Sequence, residues 1–289
     1  MVDRLLEFDQ QRPALFGLAY RMLGVHADAE DVVQEAFLRW RNAAPEEIRS
    51  PRSYLMTVAA RLSLDALKAA HRKRETYFGE WLAEPMVTDT PDLAVEKAES
   101  LSLAFLHVLE TLSPAERVAF LMREVFEESY EEVAEALETT EENSRQLVAR
   151  ARKHLRERRP RFVVDRGRHE AVLQRFLTAC SSGDTEALFS LIKEDAVVHG
   201  DGGGKAPANV NPIYGAEKIV RLMLGLVRKY QTELQGGYIS MINGQPGFVF
   251  TLREQVSSVL TLDLDEDDRI QAIYFVANPE KLGLGVWRL

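Results

Sequence analysis

Apolar positions in the first seventy residues recur with helical spacing. Leu15, Leu18, Ala19 and Met22 form one stripe, and Ala29, Val32, Val33, Ala36, Phe37 and Trp40 form another at i, i+3, i+4, i+7. Pro45 and Pro51 bracket a loop, and a third amphipathic helix is expected from Ser53 to about Ala70. It runs into the basic cluster Lys68, His71, Arg72, Lys73 and Arg74. Over residues 76–98 the regular spacing lapses. Gly79, Pro85 and Pro91 stand there among the acids Glu80, Glu84, Asp89, Asp92 and Glu96, as in a linker. Helical patterning resumes over 99–157 with three start signals. Ser113-Pro114-Ala115-Glu116 is a capping box with proline at the first helical position, and Ser129-x-x-Glu132 and Thr139-x-x-Glu142 repeat the box. Three short helices with tight joints follow, the last two spaced as a helix-turn-helix.

From about Phe162 the pattern changes. A helix over 169–182 and a short one after Gly183-Asp184 precede the strand-like Ala196-Val197-Val198. The glycine-rich turn Asp201-Gly202-Gly203-Gly204-Lys205 and a helix over 216–230 come next. Alternating or β-branched runs then predict strands at 238–242, 247–253, 256–264 and 270–276, with turns at Asn243-Gly244 and Glu266-Asp267-Asp268. The expected architecture is therefore multi-domain: two all-α domains, the second with a helix-turn-helix, followed by an α+β domain. The boundaries fall at 1–75, 76–98, 99–160 and 165–289.

Composition narrows the function classes. The 289-residue chain carries a formal charge of -9, so a DNA-binding surface must concentrate its positive charge locally. Residues 145–168 do so, with ten Lys/Arg against Glu157 and Asp165. The single cysteine, Cys180, excludes an intramolecular disulfide and any multi-cysteine metal site, and its place on the stripe Val172, Phe176, Leu177 reads as packing. No apolar run approaches a membrane span, and Met1-Val2-Asp3-Arg4 opens no secretion signal, so a cytoplasmic protein is expected.

On the last helix of the helix-turn-helix, Ser144, Leu147, Val148, Ala151 and Leu155 form the buried face. Asn143, Gln146, Arg150 and Lys153 fall opposite, flanked by Arg145, Arg152 and Arg156. Early residues of such a helix enter the major groove and later ones meet phosphate, which assigns Asn143, Arg145 and Gln146 to bases and Arg150 and Lys153 to the backbone; the alternative is a solvated basic helix packing against another domain. The helix from Ser53 carries Tyr54, Thr57, Arg61, Ser63, Asp65 and Lys68; an aromatic with hydroxyl and basic side chains suits unstacked single-stranded bases, while Tyr54 by itself reads equally as core packing. Asp28, Asp31, Glu35 and Arg39 form a polar stripe that reads as a docking face or a solvated one.

The strings AEDVVQEAFLRW, SPRSYLMTVAARLSLDALK and SPAERVAFLMREVF…SYEEVAEAL…SRQLVARARKHL resemble the two helical domains of extracytoplasmic-function sigma factors of the sigma-70 family. The resemblance implies that the 28–40 helix, through Asp28, Asp31, Gln34, Glu35 and Arg39, binds the clamp helices of RNA polymerase core. It also implies that the 53–70 helix captures the −10 strand and that the helix-turn-helix reads the −35 element. This chain departs from the pattern at Glu138, where the turn usually has glycine, and in the acidic start Glu141-Glu142 of the recognition helix.

Three further strings resemble markers of a subgroup with an appended SnoaL-like (NTF2-fold) domain. They are Tyr77-Phe78-Gly79-Glu80-Trp81-Leu82-Ala83-Glu84-Pro85, DGGGK at 201–205, and Asn278-Pro279-Glu280-Lys281-Leu282. The resemblance implies regulation in cis, with Trp81, Leu82, Pro85, Asp201, Gly202, Gly203, Gly204, Lys205, Asn278, Pro279 and Lys281 making the regulatory contacts. Phe78 and Trp81 are the linker's candidate apolar anchors, and its acids a candidate shield for the basic cluster 68–74. A separate anti-sigma protein is not required on this reading. Neither a cofactor, a metal nor a catalytic residue is expected. His199, Asp201 and Lys205 have the types of an acid–base set, but DGGGK lacks the Walker spacing and its glycines read as backbone necessities. Two rivals stay open: a helix-turn-helix regulator with a ligand-sensing NTF2-like domain, and a SnoaL-type enzyme fused to a DNA module.

Overall fold

The computed structural model describes residues 2–44, 48, 50–74, 76–88, 101–156, 165–230, 236–253 and 255–282, the side chains of 2–3, 71–73 and 156 excepted. Pro45, Asp89, Pro91, Asp92, Glu96, residues 157–164 of the basic run and the side chains of His71, Arg72 and Lys73 thus lie outside it. The chain divides into two compact units: Met1–Thr76, Leu93–Ser100 and Leu106–Arg159 form one, and Tyr77–Asp92, Leu101–Phe105 and Pro160–Leu289 the other.

The first unit is helical. α1 (Val2–Leu23), α2 (His26–Asn42) and α3 (Pro51–Arg74) pack pairwise around fully buried Leu15, Leu18, Tyr20, Trp40, Leu55 and Leu67. α3 starts at Pro51, earlier than the periodicity indicates, because a proline at a helix start loses no hydrogen bond. α4 (Leu103–Leu109), whose first three residues fall in the second unit, is followed by α5 (Pro114–Phe120), α6 (Tyr130–Ala136) and α7 (Glu141–Arg156). Both expected boxes at Ser113/Glu116 and Ser129/Glu132 form. The third shifts by one residue: Thr140 Oγ1, not Thr139, accepts from the Asn143 amide at 3.2 Å. α5 runs into a π-helical turn, Leu121–Val125, that the apolar spacing does not foretell; its wider winding buries Leu121, Met122 and Val125 together. Between α6 and α7 the Thr139 amide bonds Ala134 O and the Glu138 amide bonds Glu135 O, a Schellman closure with Glu138 at φ 52°.

α3 lies against α5 and α6 within this unit. Glu110, just after α4, joins them to α1: Arg117 reaches its carboxylate at 2.7 Å and Met22 O at 2.8 Å. Arg74 reaches the same carboxylate at 2.7 Å and Leu23 O at 2.5 Å. Burial alone would raise the Glu110 carboxyl, but Arg117 and Arg74 outweigh it and hold it below the usual carboxylate range.

The second unit is α+β. Its sheet runs β2-β1-β6-β5-β4-β3, comprising β1 (Ile192–Asp201), β2 (Ile213–Tyr214), β3 (Gly236–Ile242), β4 (Gln245–Leu252), β5 (Gln255–Leu264) and β6 (Ile270–Val276). β3 to β6 form the expected antiparallel meander, but β1 pairs parallel with β6, so the sheet is mixed. Asn243 (φ 51°) and Gly244 (φ 75°) close β3–β4 in the two-residue turn the Asn-Gly pair predicts.

α8 (Arg166–Ser182), α9 (Thr185–Leu191) and α10 (Ala216–Tyr230) supply Leu173, Phe176, Leu188 and Ile219 to a core shared with Val198, Leu260, Leu262 and Ile273 of the sheet. Cys180 belongs to that core, and burial pushes its thiol up to about 12, away from reactivity. Strand alternation turns His199, Asp201, Thr261, Asp263 and Tyr274 to the other side. A short α11 (Pro279–Leu282) ends the described chain.

Candidate nucleic-acid interface and the Asp201 hub

α7 divides as its sequence predicts. Ser144, Leu147, Val148, Ala151 and Leu155 are buried, while Arg145, Gln146, Arg150 and Lys153 are exposed. Asn143 is half-buried and its amide donates to Thr139 Oγ1 at 2.8 Å, so this member of the base-reading set is engaged at the helix start. The acids around α7 act locally. Glu141 bonds Arg145 at 2.8 Å, Glu124 bonds Arg152 at 2.7 Å, and Glu116 lies 3.7 Å from Arg150. The Glu141–Arg145 pair, exposed on both sides, contributes about 0–1 kcal/mol, so a phosphate can displace it at little cost.

On α3 the assigned residues have unlike surroundings. Thr57 and Ser63 are buried, so neither is offered to a strand in this conformation. The Arg61 guanidinium donates to Glu135 O at 2.6 Å and lies 3.8 Å from the Glu138 carboxylate, at the end of α6. Tyr54 is half-buried with its ring 5.8 Å from Trp40, and Lys68 is exposed beside Asp65. For Arg61 the sequence pattern could not anticipate this, because its partners on α6 lie about 75 positions later.

α2 exposes Asp28, Asp31, Gln34 and Arg39, with Glu35 half-buried and bonded to Arg39 at 3.0 Å. Beside Gln34 lies a groove of about 370 Å³ lined by Leu5, Phe8, Asp9, Arg12, Val33, Gln34, Phe37 and Leu38. Leu5, Leu6 and Leu38 are exposed, and residue-by-residue reading passed them over. Their signal was available: apolar side chains at positions outside the buried stripe.

In the α+β unit the three subgroup strings meet at one carboxylate. Asp201, fully buried, accepts from Tyr77 Oη at 2.5 Å, the Leu82 amide at 2.9 Å, Lys281 Nζ at 2.6 Å and the Gly203 amide at 3.0 Å. Lys281 also donates to Leu82 O and lies 4.2 Å from the Trp81 ring centre. Asn278 donates to Tyr77 Oη at 2.8 Å, and its backbone amide bonds Asp201 O. Lys205 pairs with Glu280. Burial, then Asp201, push the Tyr77 phenol above its ordinary range, so it stays a proton donor.

The DGGGK glycines have two backbone reasons. Gly203 and Gly204 hold positive φ, and a Cβ on Gly202 would meet Ala206 O at 2.2 Å. Ala83 and Met86 are buried near the same strings, Pro85 is buried, and Met86 pairs with Asn243 through both backbone groups. Val87 adds a bridge to Ile242 on the edge strand β3. Phe78, expected as an apolar anchor, is instead 62% exposed over Gly204, which has no side chain to enclose it. The linker acids have local roles too: Glu80 meets His199 Nδ1 at 2.7 Å and Glu84 is buried. Pro279 opens α11, which carries Lys281 into the hub.

Helical modules with a basic recognition helix, a groove beside a polar helix face, and an α+β unit define a modular DNA-binding protein. Comparison with known proteins makes the class specific. Residues 8–73 match the family described as sigma-70 region 2, and 102–155 match sigma-70, region 4. The chain is 39% identical over 288 residues to the ECF RNA polymerase sigma factor SigJ of Mycobacterium tuberculosis, covering 95% of this chain and 92% of that one. A probable ECF RNA polymerase sigma factor, SigI, of the same organism is 31% identical, covering 94% and 92%. The crystal structure of the Mycobacterium tuberculosis SigJ protein superposes with a TM-score of 0.81 at 36% identity, over 98% of this chain and all of that one. The chain belongs to the extracytoplasmic-function sigma-70 family of RNA polymerase sigma factors. Such factors bind polymerase core and promoter DNA to initiate transcription, and theirs is not an enzyme family. Among the described residues no helix is long and apolar enough to cross a membrane.

Proposed function

We propose that this sigma factor reads its promoter with α3 and α7, docks on core polymerase with α2, and is restrained in cis by its SnoaL-like unit. Asn143, Arg145 and Gln146 contact bases of the −35 element, with Arg150 and Lys153 on its phosphates. Tyr54, Thr57, Arg61, Ser63 and Lys68 serve the −10 strand once α3 is uncovered. Asp28, Asp31, Gln34, Glu35 and Arg39 meet the clamp helices, and the neighbouring groove adds apolar area.

The observation that carries the regulatory reading is the Asp201 hub. Residues 77–88, which follow region 2 and precede region 4 in the chain, are held by the α+β unit through Tyr77, Leu82, Met86 and Val87. The segment that sets how far apart the two readers can move is therefore folded into the regulatory unit. A short tether supplies an effective concentration of order millimolar, so a contact of about 10 μM intrinsic affinity keeps about 99% of molecules closed. No separate anti-sigma protein is needed for that restraint. His199, Asp201 and Lys205 are spent on Glu80, Lys281 and Glu280, which favours a structural unit over a catalytic one.

Transcription with core polymerase tests the reading. Asp201→Asn leaves Lys281 facing a neutral amide in a buried site, at a cost of about 3–5 kcal/mol, and should release the linker. Promoter-dependent transcript yield is expected to rise for Asp201→Asn and for a chain ending before residue 165. Unchanged yield from both, with protease digestion reporting a freed linker, rules out restraint in cis.

A further inference from the structure

Arg145, on the outer face of α7, has two side-chain neighbours. Its guanidinium carbon lies 4.4 Å from the ring centre of Tyr130, and its Nη2 bonds Glu141 Oε2 at 2.8 Å. Tyr130 is the first residue of α6, directly after the N-cap Ser129. The Ser129–Glu132 box fixes the backbone there, with bonds of 3.1 and 2.7 Å. The same ring has a second cation, Arg123, with its guanidinium carbon 4.8 Å away. Arg123 is itself tied to Glu128 O at 2.9 Å. Tyr130 is half-buried and packed where α6 meets α7. The ring is thus immobilised from both sides of the motif, while the Arg145 side chain stays 58% exposed.

We propose that Tyr130 is a positioning residue for base readout: its ring, with Glu141, holds the Arg145 guanidinium ready to engage a guanine in the −35 element. The proposal rests on the assignment of Arg145 to a base. An arginine reads guanine by presenting two N–H groups to O6 and N7 at once, which demands a fixed plane. A free arginine loses much side-chain entropy on reaching that geometry, and a pre-oriented one loses less. Glu141 takes a donor of one terminal nitrogen only, so the remaining N–H groups stay available. The acidic start of α7, unexpected in a DNA-reading helix, then has a role: Glu141 orients the reader one turn further along.

The test uses holoenzyme assembled from core polymerase and the full chain, on templates with each −35 base pair changed in turn. Arg145→Ala should flatten the preference at one G·C pair by about tenfold or more, the worth of a lost bidentate contact. Tyr130→Leu should reduce the preference at that same pair by about two- to five-fold, the scale of an exposed cation–π contact. Tyr130→Phe, which keeps the ring, should retain it, and responses to −10 substitutions should match the parent for both. Unchanged discrimination in Tyr130→Leu overturns the positioning role while leaving the base assignment intact. A uniform loss at every −35 position marks a merely structural role and overturns it too. If Arg145→Ala flattens no position, the base assignment fails, and the proposal with it.

Discussion

Asp263 is the carboxylate least suited to its place. It sits on β5 at 8% exposure beside Gln271, and burial pushes its carboxyl up to about 7, with Asp265 adding to the rise and Gln271 opposing it. An unfolded aspartate titrates near 3.9, so between about pH 4 and 7 the folded chain holds the extra proton. Stability conferred by this group is therefore complete below about pH 4 and declines as pH rises through 7. The full shift corresponds to at most about 4 kcal/mol. Asp263→Asn keeps a hydrogen-bond acceptor for Gln271 and cannot ionise. Thermal unfolding should show the variant more stable than the parent at pH 8, with the gap closing toward pH 4. A gap that widens on acidification contradicts the burial account. Asp201, also buried, has different partners: Lys281, a phenol and two amides surround it. Both residues are simply Asp in the sequence; which one is neutralised and which is paired depends on partners up to 124 positions away.

The helix-turn-helix turn carries its own strain. Glu138 occupies the left-handed C′ position of the Schellman closure, where a side chain costs about 1 kcal/mol that glycine does not. Glu138→Gly should raise stability by about that amount in urea unfolding, since the lost Arg61 pair is long, at 3.8 Å, and exposed. A destabilised variant would mean that the Arg61 pair outweighs the backbone strain. Most elements were legible because their determinants are local. Ser113, Ser129 and Asn243-Gly244 select helix starts and a hairpin through contacts within three or four residues. The misses have equally physical causes. Thr140 and Thr139 are both competent caps, and the winding that buries Ser144 chose between them. The π turn at 121–125 and the two-residue β2 carry no periodic signal of their own.

Within the helical unit, α3 packs against α5 and α6. Glu110, between Arg74 and Arg117, is the central ion pair of that contact. Glu110→Gln leaves two largely buried guanidinium groups without a counter-charge, an uncompensated burial worth about 3–5 kcal/mol. A lower urea midpoint for this unit is expected, together with faster proteolysis at the α3–α6 contact; a parental midpoint would show that Glu110 is dispensable. Taken alone, the sequence determined the helical stripes, the caps, the hairpin turn and the outward face of α7. Each of these is fixed by residues a few positions apart, through backbone geometry and periodic burial. It also supplied the strings at 77–85, 201–205 and 278–282 without saying how they are related. Only the tertiary structure decided that they converge on Asp201, that Thr57 and Ser63 are covered, and that Tyr130 meets Arg145. The reason is that pairing across long stretches of chain is set by which faces bury one another, and a one-dimensional pattern records the faces but not their partners.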